Sequence, residues 1–352
     1  MAQPRTPRDF CGDLFPWPEI ARISEGDRVV ACYLVHERRL GTTRQQKPFL
    51  HLLLGDRSGS VEAKVWDRAG ELASVLEPEA VVGVRGTAEL FRDRLQLRVE
   101  EAEPLALADR DLELFLPASP RDRGVMEREL ESLIGSLEDR PLRALLARCT
   151  GADTPLGRAF RSHPAAKRNH HAYLGGLLEH SLSLAGVCQR LALHYREQGL
   201  SIDRDLLVAG ALLHDIGKVG ELRGTAGFAY TDRGKLLGHI VLGLKGLERE
   251  AAKVEGLSEE RLLLLQHLLA SHHGRLEWAS PSVPQTLEAL ILHHADYLDS
   301  RMGEAAVAVA AAEPGGWTPY LRGQERAFFR PPEGEEERSE GSTNDTMDLF
   351  QD

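Results

Sequence analysis

Five apolar stretches at helical spacing are each interrupted by histidine or aspartate. GGLLEHSLSLAGVCQRLALHY carries His180 near its start, and DLLVAGALLHDIGKVG ends in His214-Asp215 before breaking at Gly217. GKLLGHIVLGLKGLEREAAKV carries His239 in its first turns, SEERLLLLQHLLASHHG ends in His272-His273, and QTLEALILHHADYLDSRM carries Asp296. A single buried histidine costs little once it finds a partner. An aspartate beside Leu212, Leu213 and Ile216 is different, because a buried carboxylate needs a counter-charge or a metal. Several His and Asp side chains converging from different helices meet that need through a shared cation. Imidazole nitrogen and carboxylate oxygen suit Mn, Fe, Zn, Ni and related divalent metals. A cation so held lowers the pKa of a bound water. Adjacent helical residues point about 100° apart, so one of His272 and His273 is the ligand. His272 is the choice and His273 the alternative. His267, His293 and His294 read equally well as surface or supporting residues of their helices.

The elements that must position these groups change character along the chain. Residues 1–25 are Pro-rich and irregular. Residues 26–108 read as four or five short strands with polar turns at Asp56-Arg57-Ser58-Gly59 and around Arg92-Asp93, the pattern of a small β-barrel. Residues 109–123 read as a linker with Pro117 and Pro120, and 124–325 as a run of helices broken first near Pro141. Residues 331–352 are acidic, polar and poor in apolar side chains, as disordered tails are. The class is therefore α+β and multidomain, a barrel followed by an all-α bundle. The net charge of −11 argues against a coat of basic charge for duplex DNA and leaves room for a local basic groove. The four cysteines, Cys11, Cys32, Cys149 and Cys188, have no C-x-x-C spacing and read as reduced, buried thiols. No apolar run reaches the roughly 20 residues of a membrane span, and MAQPRTPRDF lacks the apolar core of a signal peptide. A cytoplasmic protein that avoids membranes is expected.

Two resemblances follow. Asp56-x-x-Gly59 with Val61, Ala63 and Trp66 resembles the strand-turn-strand of OB-folds that bind single-stranded nucleic acid. It makes Phe49, Trp66 and Phe91 candidate stackers, and Arg44, Lys47, Lys64, Arg85, Arg92 and Arg94 candidate phosphate contacts. Alternation in the strand offers Trp66 a place in the barrel core instead. The order His180, His214-Asp215, Asp296, with HDIGK at 214–218, resembles the HD phosphohydrolase signature. Some HD families hold a second metal with two further histidines in that interval. Here these are His239 and His272, with Asp215 bridging ions about 3.5–4 Å apart.

The combination resembles the YhaM-type 3′→5′ exoribonuclease family. It includes the barrel, HHAYLGGLLEHSLS at 170–183, and SHHG followed by HHADYLDSR at 293–301. Cyclic dinucleotide phosphodiesterases of the GYP type share the histidine order, but GRLEWASPSVP replaces their Gly-Tyr-Pro element. The resemblance implies removal of nucleotides from a 3′ end as 5′-monophosphates, usually with Mn²⁺ (Fe, Mg, Ni, Co and Zn being alternatives) and with one or two ions. RNA is the favoured single-stranded partner, DNA stays open, and homo-oligomers are implied. Asp215 and Lys218 are then the catalytic pair, with Lys218 stabilising phosphoryl charge or, alternatively, serving a helix C-terminus. His170, His171, Tyr173, Arg301 and Arg92 join the aromatics as substrate contacts, Arg301 alternatively pairing with Asp299 or another acid. Two other readings are an HD phosphodiesterase acting on a small or cyclic nucleotide and a non-catalytic strand-binding protein. Thr346-Met347-Asp348-Leu349-Phe350 resembles the short motifs that dock on the bacterial sliding clamp, with Thr346 where Gln is usual, or is a chance match.

Overall fold

The structure, a computed structural model, describes residues 5–43, 45–92, 94–106, 114–166, 171–223 and 230–332. Arg44, Asp93, His170 and the Thr346–Phe350 motif lie outside the described residues.

A short helix, α1 (Pro7–Cys11), opens the chain and is capped by a reciprocal Thr6–Asp9 pair. Five strands follow: β1 (Arg28–Thr42), β2 (Pro48–Asp56), β3 (Gly59–Val65), β4 (Val81–Phe91) and β5 (Arg94–Leu105), with α2 (Ala69–Val75) between β3 and β4. They close into a barrel in the order β1-β2-β3-β5-β4. The closing β3–β5 pair is parallel, and the other pairs are antiparallel. Period-two alternation sets the faces: Leu50, Leu52 and Leu54 of β2 and Val61, Ala63 and Val65 of β3 point inward. The irregular segment ahead of β1 nevertheless contributes to the barrel. Phe10, Cys11, Trp17, Ile20 and Ile23 join the barrel core. Their spacing follows no period because they fill gaps in the barrel rather than form one amphipathic element. The Asp56 turn ties this segment down, its carboxylate accepting from the Ile20 N–H at 2.7 Å. The expected linker is likewise partly core, since Phe115 and Leu116 are buried with the barrel.

Nine helices follow among the described residues: α3 (Arg123–Gly135), α4 (Arg140–Thr150), α5 (Pro155–Ser162), α6 (Gly176–Glu197), α7 (Arg204–Leu213), α8 (Lys218–Glu221), α9 (Asp232–Ala251), α10 (Glu259–Ser271) and α11 (Leu287–Ala311). The centre is α7, in which every residue from Leu206 to Leu213 is buried. Its N-cap Asp203 accepts from the Leu206 N–H at 2.9 Å and pairs with Arg261, which also holds the α4 cap Asp139 at 2.8 Å. No described helix is long and apolar enough to cross a membrane. Among the described residues, 301–332 form a unit of their own. Within it, Trp317 pairs with Phe329 and Leu321 with Arg326 in isolated bridges.

Candidate metal centre and strand-binding face

The apolar face of α7 drives the chain inward until its end delivers the dyad to the interior. His214 caps the helix, and Asp215 is only 3% exposed. The chain then turns through Gly217, where a Cβ would sit 1.9 Å from the His239 carbonyl oxygen. Only glycine lets α9 come this close to the dyad. The α9 helix breaks at Gly238 (φ 71°), so His239 starts a fresh helical run with its N–H donating to Glu221 at 3.1 Å.

Five imidazoles share one design. Nδ1 lies 2.8 Å from Asp299 in His180, 2.9 Å from the Ala211 carbonyl in His214, and 3.3 Å from Glu221 in His239. In His272 it lies 2.8 Å from the Leu269 carbonyl, and in His273 2.7 Å from the Trp278 carbonyl. These oxygens only accept, so the proton sits on Nδ1 and Nε2 is left for a cation.

The Nε2 atoms gather around Asp215. Its Oδ2 is 3.2 Å from His214 Nε2 and 3.9 Å from His180 Nε2. Its Oδ1 is 3.4 Å from His239 Nε2 and 3.9 Å from His272 Nε2. Asp296 Oδ1 completes the first group, 3.2 Å from His180 Nε2. His180, His214 and Asp296 offer atoms within 4.8 Å of one another, as do His239, His272 and His273. Asp215 Oδ1 and His239 Nε2 are buried with no hydrogen-bond partner. Such orphaned acceptors are costly in a protein interior. The donor set fits divalent ions on both sides of Asp215.

Charge is balanced within the cluster. Burial opposes ionisation of Asp215, but the Lys218 ammonium 2.5 Å from Oδ2 and His214 outweigh it and hold the carboxyl well below its usual range. Burial likewise opposes charge on His180, yet Asp296 and Asp299 push it up to about 9. Burial and His214 push His272 far down, and burial and His239 push His273 down, so both remain neutral bases.

His180, His214, Asp215, His239, His272 and Asp296 are therefore brought together, and His273 stands beside His272 rather than replacing it. Lys218 pairs with Asp215. It opens α8 instead of closing α7, so the helix C-terminal role is corrected. His171 (φ 55°) has its ring 5.5 Å from that of His180, and its Nδ1 meets the Tyr173 hydroxyl at 2.9 Å. His293 supports the His272 carbonyl at 2.9 Å, and His267 accepts from the Gln285 N–H at 2.9 Å. Arg301 donates to the Gly323 carbonyl and faces Glu304 at 3.6 Å, so it has an acid partner on its own helix. Sequence reading missed Asp299 and Glu221 as orienting groups. Asp299 lies three residues beyond Asp296 on α11, a spacing that shares a helix face.

On the barrel, Trp66 is 45% exposed and outside the core, which overturns the core alternative. It lies beside Phe49 with centroids 5.3 Å apart. Phe91 is exposed, with Lys64 4.4 Å and Arg92 5.3 Å from its centroid. Arg85 instead faces Glu101 at 3.3 Å and lies over Phe10, a structural role.

Residues 177–301 match the HD domain family, and residues 29–105 the OB-fold nucleic acid binding domain family. A Geobacillus sp. (strain WCH70) protein named 3′-5′ exoribonuclease YhaM is 35% identical over 323 residues, 89% of this chain and 94% of that protein. The protein of that name from Bacillus subtilis (strain 168) is 34% identical over 311 residues, 87% of this chain and 96% of that protein. With the barrel, the dyad and both histidine groups in place, this chain belongs to the YhaM family of 3′-5′ exoribonucleases.

Proposed function

We propose that this chain shortens single-stranded RNA from its 3′ end in the cytoplasm, using two divalent ions, Mn²⁺ by preference, and releasing nucleoside 5′-monophosphates. The observation that carries the reading is Asp215, whose two oxygens face two separate histidine groups. Divalent ions there supply Lewis-acid polarisation of the phosphodiester and acidify the attacking water. The residues do the rest. His180, His214, Asp215 and Asp296 would hold one ion, and His239, His272, His273 and the other Asp215 oxygen the second. Lys218 brings a cation to the Asp215 edge of the site, placed to offset charge growing on phosphoryl oxygens. Phe49 and Trp66 on the barrel offer a sequence-tolerant stacking surface for the strand. Water oxygen joins phosphorus, the P–O3′ bond breaks, and the penultimate nucleotide keeps a 3′-hydroxyl.

The test uses 5′-labelled single-stranded RNA and its DNA counterpart with Mn²⁺, for the wild type and for Asp215→Asn. A ladder shortening from the 3′ end with the wild type, lost at least ~100-fold in the variant, is expected from removing a bridging ligand. Intact strands with the wild type would sink the reading.

A further inference from the structure

Beside the metal centre lies an aromatic surface that the reaction as described leaves unused. Just past the His272-His273 pair, the chain makes a single tight turn at Leu276–Trp278. The Trp278 carbonyl accepts from His273 Nδ1 at 2.7 Å, so the tryptophan is anchored to a metal-facing histidine. Its indole is stacked on Tyr297, with centroids 5.4 Å apart and planes 7° from parallel. Tyr297 directly follows Asp296 on α11. His293, which supports the His272 carbonyl, lies between these elements, 6.1 Å from the Trp278 ring. The Arg275 guanidinium sits 4.8 Å from the Trp278 centroid.

A stacked aromatic pair is ordinarily a packing device and is then buried. This one is not: Trp278 is 38% exposed and Tyr297 41%. Neither ring belongs to the hydrophobic core of the helical domain. An exposed pair with a planar cation, fixed by one hydrogen bond to a metal-facing histidine, is a surface that a flat heteroaromatic ring can join.

We propose that Trp278, Tyr297 and Arg275 form the platform on which the base of the 3′-terminal nucleotide stacks while its 5′-phosphodiester lies at the metal centre. The proposal rests on the exonuclease reading above and deepens it by assigning a subsite for the nucleotide being removed. Stacking accepts any base, because every base presents a π-face. The platform therefore selects for the presence of a base and not for its identity. Arg275 adds a cation that layers with the base or meets the departing phosphate.

The experiment compares two RNAs identical except at the 3′ end, one with a normal terminal nucleotide and one with an abasic ribose there. The full-length protein with Mn²⁺ is used, and kcat and KM are measured for removal of the terminal unit alone. The wild type is expected to prefer the base-bearing end by ~10-fold or more in kcat/KM, as one base–aromatic stack implies. In Trp278→Ala the preference collapses toward 1, and in Trp278→Phe most of it returns. Tyr297→Ala, measured the same way, provides a second route should Trp278→Ala melt early. A wild-type preference near 1, or an undiminished preference in folded Trp278→Ala and Tyr297→Ala, overturns the platform while leaving the exonuclease reading intact. Failure of the wild type to shorten either RNA overturns both.

Discussion

Asp299 supplies the sharpest test of how this site is built, because it touches the metal cluster only through His180. Its Oδ2 holds His180 Nδ1 at 2.8 Å, and its Oδ1 accepts from Ser183 Oγ at 2.6 Å. In Asp299→Asn an amide oxygen can still accept from Nδ1, so the ring orientation survives and only the charge goes. Loss of an orienting carboxylate behind a ligating histidine typically costs 10–100-fold in metal affinity, or about 1.4–2.7 kcal/mol. Proton competition works against that loss. Without metal, His180 holds its proton up to about 9, with Asp299 as one of the causes. At pH 7, about two units lower, that proton weakens wild-type binding by roughly 100-fold. The variant sheds part of this penalty. The affinity gap should therefore be small at pH 7 and approach its full size near pH 9. The assay is Mn²⁺ competition against a fluorescent chelator at both pH values under nitrogen, with thermal melts as a folding control. Equal affinities at pH 9 for two equally folded proteins would refute the argument that Asp299 tunes His180.

Two further predictions follow, one from the same His180 imidazole and one from the barrel. A histidine whose pKa rises on folding, here from 6.5 to about 9, contributes stability that is fully present below pH 6.5 and lost as pH rises through 9. The chelated protein should lose melting temperature between pH 6.5 and 9.5, while the Mn²⁺-loaded protein gains relative to it; parallel curves in a calorimetric series would contradict this. On the barrel, Phe49→Ala with Trp66→Ala removes a ring pair made of a half-buried phenyl and an exposed indole, and stacking at ~1–3 kcal/mol per base predicts a KM increase of ~10-fold or more on a strand of about 12 nucleotides. A dinucleotide should be affected far less, and equal effects on both lengths would place the pair outside the strand path.

The metal cluster was legible because its chemistry conflicts with its surroundings. An aspartate following Leu212 and Leu213 has no apolar explanation, and the ligands arrive in recognisable order on helices whose periods are strong. What stayed illegible was set by contacts distant along the chain. Asp299 and Glu221 look like ordinary helix-surface acids until folding places them behind His180 and His239. Arg301 faces Glu304 one helical turn along α11, a spacing the sequence does show, but its other partner, the Gly323 carbonyl, is brought by a turn that carries no periodic signal. Trp66 was ambiguous for another reason. The phase that turns Val61, Ala63 and Val65 inward turns the next position outward, but an isolated aromatic at the end of β3 does not by itself reveal that phase. The N-terminal segment hid its role similarly, since residues that fill gaps in a barrel obey the shape of the gap and not a repeat.

The barrel and the metal centre are also less separable than a domain-and-linker description implies. Leu174 is buried in the barrel's core together with Phe115 and Leu116. Its neighbour Tyr173 donates to Glu179 at 2.9 Å and accepts from His171, while Ser119 donates to the same Glu179 oxygen at 2.6 Å. Main-chain bonds tie Leu174 to both sides of Ala118, Leu174 N–H to the Pro117 carbonyl at 2.8 Å and Ser119 N–H to the Leu174 carbonyl at 2.9 Å. The few residues between His171 and His180 thus belong to two structures at once: one side chain is barrel core, and its neighbours form a hydrogen-bonded group whose His171 ring faces, at 3.9 Å, the Asp299 carboxylate that holds the first metal-facing histidine. A buried network of this kind is satisfied only when every member is in place. The residues that lead into the first metal-facing histidine are thus packed and hydrogen-bonded against the barrel's own core, so the two share one frame on this side of the site.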